Sequence, residues 1–318
     1  MNRRTRVLTS LNRRLPRPDP PPEAYLRRIR RELPRPLARA VLGSVDRGVR
    51  LADRVLPTEP VPVPVRVYRP RRTTEVLPLV VNLHGGGFVF GNLTGADWFC
   101  GHLAAMADVV VVSVDYRLAP EHPAPAAYED ALAATTWLLA DADRTASLVG
   151  ADVTRTAVVG ESAGGNLAAL VALALRDRLT AQALVYPATD MTMTSASVLE
   201  LADAPVLPRT SIDWFGRQYL PQGLPHSIAL DDPRVSPVHA PDHAGLPPTL
   251  VVAAGLDPLR DDALRYAAVL QAAGVDVRTV LYPEALHGFM AIPRFEDAAA
   301  QALDEVVAHL RGRLTTHP

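Results

Sequence analysis

From about Val61 to the C-terminus the hydrophobic positions alternate between two patterns. Short runs (VPVRVYRP, LPLVVNL, DVVVVSVDY, TAVVG, QALVYP, TLVVAAG and DVRTVLYP) are rich in β-branched residues and apolar at successive positions, as strands covered on both faces are. Between them, stretches at 96–107, 125–141, 163–178, 258–273 and 295–313 read as helices. Strand alternating with helix predicts an α/β fold, a mostly parallel central sheet with helices on both faces.

Two segments depart from this alternation. Near the N-terminus RPDPPP at 17–22 breaks any helix, and after it Leu37, Val41, Val45 and Val49 recur every four residues, which predicts one amphipathic helix. At 190–245 Trp214, Phe215 and Tyr219 stand among prolines with no strand pattern. An insertion of that size between two sheet strands predicts a lid rather than a structureless loop. The expected organisation is therefore an N-terminal arm with cap helices at 1–55 and an α/β domain at 56–318, interrupted by a cap insertion at about 190–225.

Composition narrows the function by exclusion. The 318 residues are 48% hydrophobic with a mean hydropathy of +0.07, as in an ordinary soluble domain. A formal net charge of −1 gives no reason to expect a nucleic-acid partner. Residues 1–54 carry 15 arginines against 5 acids. That excess reads as solvated helix faces, with contact to anionic lipid heads as the alternative. No run approaches the roughly 18 apolar residues of a membrane span, and the N-terminus lacks the apolar core of a secretory signal. Membrane contact is thus not expected, and a cytoplasmic location is. Cys100 is the single cysteine, so no internal disulfide or zinc-finger spacing exists.

The candidate chemistry lies where predicted strands end. GESAG at 160–164 fits G-x-S-x-G and sits between the strand TAVVG and a helical run, so Ser162 stands on the strand-to-helix turn that a nucleophile elbow requires. A serine helix cap with glycines for close packing is the plainer reading. HGGGF at 84–88 also follows a strand. A triple glycine lets backbone N–H groups approach a developing oxyanion unobstructed; a tight turn is the alternative. Nine histidines compete for the role of base. His84 lies inside the glycine motif and is expected to buttress it. His239 and His243 are separated by Pro241, which argues against a shared metal-binding face. His287 follows the last predicted strand. Asp257 also ends a strand, with Pro258 suited to a helix start; a plain N-cap is the lesser alternative, and capping need not exclude catalysis. Asp261 and Asp262 read as charges complementing that helix dipole. The order Ser162, Asp257, His287 is the one expected on an α/β-hydrolase sheet.

Taken in order, HGGGF, DYRLAPEHPAPAA (115–127), GESAGGN, GLDPLRD and LHGF resemble the hormone-sensitive-lipase-like (family IV) bacterial carboxylesterases of the α/β-hydrolase superfamily. The resemblance runs from about Val65 to the C-terminus. It implies catalytic Ser162, Asp257 and His287 and oxyanion donors from Gly86, Gly87 and Ala163, although which two of the three glycines donate stays open. It also implies a cap joining the N-terminal helices to the 190–225 insertion. Members commonly carry Asp where this chain has Glu161. The implied activity is hydrolysis of short- to medium-chain acyl esters through an acyl-enzyme, with no metal or organic cofactor, a small-molecule ester as partner and room for a homodimer. Tyr186, Leu207, Trp214, Phe215 and Tyr219 are the candidate lining of the acyl pocket. Two other readings stay in view: a non-catalytic small-molecule receptor on the same fold, and a membrane-associated lipase.

Overall fold

The computed structural model describes residues 18–31, 37, 40–223 and 227–314. The first seventeen residues, 38 and 39 of the predicted 37–49 helix, and 224 and 225 at the end of the insertion therefore lie outside the described residues.

Eight strands, β1 (Val49–Leu56), β2 (Val63–Pro70), β3 (Leu77–Leu83), β4 (Val110–Val114), β5 (Ala151–Glu161), β6 (Ala181–Val185), β7 (Thr249–Leu256) and β8 (Val277–Leu286), form one sheet in the order β1-β2-β4-β3-β5-β6-β7-β8. β2 pairs antiparallel with β1 and β4, and every other pairing is parallel. Alternate residues of the central strands serve two cores. Leu79, Val81, Leu83, Val112 and Val114 point to one face, beneath α3 (Ala126–Leu139) and α5 (Ala163–Leu175). Val80, Val111, Val159, Ala183 and Val252 point to the other, beneath α2 (Asp97–Ala107) and α9 (Ala298–Leu314). Full burial of each such Val or Leu stabilises by roughly 1.5–3 kcal/mol. Both faces are therefore held, and the apolar runs from LPLVVNL onward form the parallel strands, whereas VPVRVYRP forms β2, antiparallel to both its neighbours.

The edges differ from that reading. Residues 49–56 form the antiparallel edge strand β1, with Leu56 beside Val63 and Val49 beside Pro70. Val45 lies in a loop and Val49 opens a strand, so the four-residue spacing of valines does not mark one helix. A strand needs only a partner's hydrogen bonds at the sheet edge, and its own residues are mostly exposed there. β8 at the opposite edge is likewise largely exposed, with Leu281 at 42%, rather than covered on both faces. The helix expected at 125–141 ends at Leu139, and Asp141 caps a separate helix, α4 (Ala142–Val149), by accepting from the Arg144 N–H.

The insertion contains α6 (Ala196–Glu200) and α7 (Arg209–Tyr219). Against α7 packs α1 (Glu23–Arg30), nearly two hundred residues away in sequence. Trp214 donates its indole N–H to the Pro18 carbonyl at 2.8 Å, Asp19 accepts from Arg217 and Gln218, and the Tyr25 and Trp214 rings meet edge-on at 6.2 Å. These elements stand over the carboxyl ends of the parallel strands, where open α/β sheets place ligands.

Candidate active site

Four loops leave the carboxyl ends of β3, β5, β7 and β8 and converge. β5 ends at Glu161 and α5 begins at Ala163, which leaves Ser162 alone to make the turn. It does so at φ 54°, ψ −119°, a sparsely populated conformation costing on the order of 1–3 kcal/mol. Its N–H donates to the Val185 carbonyl at 2.9 Å, and its own carbonyl accepts from Ala188 and Asn166. Gly164 lets α5 seat this close, since a Cβ there would lie 2.0 Å from the Leu83 carbonyl oxygen. Asn166, fully buried, donates to the Ala188 and Val235 carbonyls and braces the turn from below.

Ser162 Oγ lies 2.8 Å from His287 Nε2, and His287 Nδ1 lies 2.8 Å from Asp257 Oδ2. Asp257 is wholly buried, and its second oxygen accepts from the Leu259 N–H at 2.8 Å. Donation of Nδ1–H to the carboxylate leaves Nε2 as acceptor for the serine hydroxyl. Asp257 therefore combines a capping bond with its bond to histidine, although α8 (Arg260–Ala272) begins two residues later than Pro258. The three side chains named from the sequence are together.

In the loop after β3, Gly86 (φ 133°) accepts from the N–H groups of Val89 and Phe90. A Cβ on Gly86 would fall 1.9 Å from the Phe90 carbonyl oxygen, so no other residue fits. The N–H groups of Gly86 and Gly87 have no hydrogen-bond partner among the described residues. Ala163 opens α5, where an N–H has no intrahelical acceptor. His84 is buried, stacks on Tyr116 at 4.3 Å and bonds through Nδ1 to the Gly85 carbonyl. Burial holds its imidazole below the usual pKa, hence neutral. Tyr116 donates to the His84 carbonyl at 2.7 Å, and Phe88 stacks on Tyr219 at 3.7 Å.

A cavity of about 690 Å³ opens above Ser162, within the range of small-molecule sites. Tyr186, Leu207, Trp214, Phe215 and Tyr219 all line it. His239 and His243 do not share a site: one bonds to Asp190, the other to the Pro237 carbonyl. Among the described residues no group of three or more His, Cys, Asp or Glu could hold a metal, and no helix is long and apolar enough to cross a membrane. Two features escaped the sequence reading. Tyr116 belongs to DYRLAPEH, whose roles that motif left unassigned; Arg117 of the same motif bonds buried Asp130. Glu161, noted only as a departure from the family pattern, faces the cavity and accepts from Tyr186.

Comparison with known proteins agrees with this geometry. A family profile described as the α/β hydrolase fold matches residues 80–291. Esterase LipI of Mycobacterium tuberculosis is 40% identical over 297 residues, covering 91% of this chain and 88% of that one. Carboxylesterase NlhH of the same species is 42% identical, covering 79% of each. The crystal structure of an α/β hydrolase from the metagenome of Lake Arreo superposes with a TM-score of 0.87 at 35% identity, covering 99% of both chains. With strand order, cavity and sequence in agreement, the chain belongs to the α/β-hydrolase family, among its hormone-sensitive-lipase-like carboxylic ester hydrolases.

Proposed function

We propose that Ser162, His287 and Asp257 carry the ester hydrolysis. Ser162 Oγ attacks the ester carbonyl while His287 Nε2 takes its proton, and Asp257 holds the ring and stabilises the imidazolium. The carbonyl oxygen gathers negative charge and is met by the N–H groups of Gly86, Gly87 and Ala163. His287 then returns the proton to the departing alcohol. Water, deprotonated by the same histidine, releases the acid and restores Ser162. The single observation that carries this reading is the unbroken contact from Ser162 through His287 to buried Asp257, at 2.8 Å for each bond. That contact also favours catalysis over a receptor role, for which an activated serine has no use.

Acyl chains of short to medium length are the proposed substrates, because aromatic residues of α7 roof the cavity. The test of the site is Ser162→Ala together with active-site labelling. The variant should lose on the order of 10⁴–10⁶ in kcat if the three groups act as a unit. An organophosphate should leave one adduct, on the peptide containing residue 162. Full activity in the variant, or an adduct elsewhere, overturns the assignment.

A further inference from the structure

Glu161 immediately precedes the proposed nucleophile and turns its side chain into the substrate cavity. Its Oε2 accepts the phenol proton of Tyr186. Tyr186 is almost wholly buried, and burial beside the Glu161 carboxylate pushes its phenol pKa well above the usual range, so it remains a donor. The tyrosine is rigidly set: it holds φ 36°, uncommon for an aromatic residue, and its N–H donates to the Val252 carbonyl at 2.6 Å. Oε1 of Glu161 has no hydrogen-bond or ion-pair partner among the described residues. Nor does the cavity supply a compensating cation. Arg31, the cation among its described lining residues, is exposed, and His84 is kept neutral by burial. The Tyr186 ring centroid lies 5.0 Å from that of His287, so the tyrosine that holds Glu161 Oε2 stands on the histidine side of the serine, while the Glu161 Cγ and Cδ lie 3.3 and 3.5 Å from where a Gly85 Cβ would stand. The leaving alcohol departs on that side, because His287 must give its proton to the alcohol oxygen.

We infer that Glu161 is a specificity-determining carboxylate of the leaving-group side, favouring esters of cationic alcohols and disfavouring esters whose alcohol carries a carboxylate. The inference rests on the proposed roles of Ser162 and His287, which fix where the alcohol lies. An unneutralised charge in a partly desolvated cavity attracts or repels a substrate charge more strongly than the same pair would in bulk water. A neutral ester of the same shape feels little of this. Tyr186 occupies one carboxylate oxygen and leaves the other without a partner among the described residues.

The test compares three butyrate esters: that of choline, that of the uncharged isostere 3,3-dimethylbutanol, and that of a hydroxycarboxylate of similar size. The wild-type kcat/KM should rank cationic above neutral above anionic. In Glu161→Gln, whose amide oxygen can still accept from Tyr186, the cationic-to-neutral ratio should fall about three- to tenfold, the scale of one charge pair across a partly wet site. The anionic-to-neutral ratio should rise by a similar factor. Glu161→Asp and Tyr186→Phe keep the charge and should retain most of the discrimination. Ratios measured on one sample cancel any loss of folded enzyme. Wild-type enzyme that accepts the anionic ester as readily as the cationic one, or unchanged ratios in Glu161→Gln, would overturn the inference. Ser162→Ala should abolish turnover of all three esters equally, so a failure of the nucleophile assignment is distinguishable from a failure here.

Discussion

Side chains of one type have quite different roles at the base of this site, and burial decides among them. Asp257 has both oxygens occupied by N–H donors. Asp262, five residues on, accepts from the Ser195 hydroxyl on Oδ1, and its Oδ2 has no hydrogen-bond partner within ordinary distance among the described residues. Desolvation pushes its carboxyl up from 3.8 to about 7. It is therefore not the exposed dipole charge that its place in the helix suggested. Between about pH 4 and pH 7 the folded protein holds a proton there that the unfolded chain has released. Stability from this group is consequently present at low pH, declines as pH rises through that window and is flat above it. Asp262→Asn removes the charge and should stabilise the protein at pH 8 by on the order of 2–4 kcal/mol, an advantage that fades toward pH 4. Urea unfolding of both proteins at pH 4.5 and pH 8 measures the difference; an equal difference at both values rules out the ionisation.

Between elements, Arg30 is one of several side chains that tie the roof to the glycine loop. Arg30, at the end of α1, donates to the Val89 carbonyl at 2.8 Å, to the Ala119 carbonyl at 2.7 Å and to both oxygens of Glu121. Val89 follows Phe88, whose carbonyl accepts from Ala119 and whose ring stacks on Tyr219 of α7. Gly87 is also close to α7, since a Cβ there would fall 2.7 Å from the Phe215 ring. α1, α7 and the glycine loop thus share one set of contacts. Arg30→Ala should lower the melting temperature by about 1.5–3 °C, as loss of a charge-assisted cluster worth roughly 1–2 kcal/mol implies for a chain of this size. It should also reduce kcat/KM more for longer acyl chains than for acetate. A variant that melts lower but keeps the wild-type ratio of octanoate to acetate hydrolysis would mean that Arg30 holds the fold without shaping the pocket.

For the molecule as a whole, depth of the cavity sets the expected substrate range. Each methylene buried from water contributes about 0.8 kcal/mol until the pocket is full. Specificity should rise from C2 and peak at acyl chains of about four to eight carbons, then fall as longer chains meet the roof formed by α1 and α7. kcat/KM for p-nitrophenyl esters from C2 to C16 measures this. A maximum at C16, with a rate jump above the substrate's micellar threshold, would instead describe a lipase. A truncation meant to open the roof has to stop before β1. Removing residues 1–31 takes away α1 but leaves the edge strand paired with β2. Removing 1–55 strips nearly all of that strand, so lost activity would then report on the sheet as much as on the lid.

What the chain carries locally was readable from sequence alone. The parallel strands follow from runs of β-branched residues, and the elbow from glycines whose missing side chains are a short-range steric demand around Ser162. The positions of Asp257 and His287 just past strand ends follow from the same alternation, since in such sheets those ends share one rim. Tertiary structure decided whatever depends on a distant partner. VRLADRVL has no strand periodicity, and only hydrogen bonding to β2 makes it β1. Trp214 is buried because residues near Pro18 cover it, and Asp262 keeps its proton up to about pH 7 because burial strips its carboxyl of water. Glu161 looked like a mild variation in a motif until Tyr186 and the cavity gave its two oxygens different surroundings. Backbone sterics act over a few residues, whereas burial, charge compensation and edge pairing are properties of neighbours that only folding brings together.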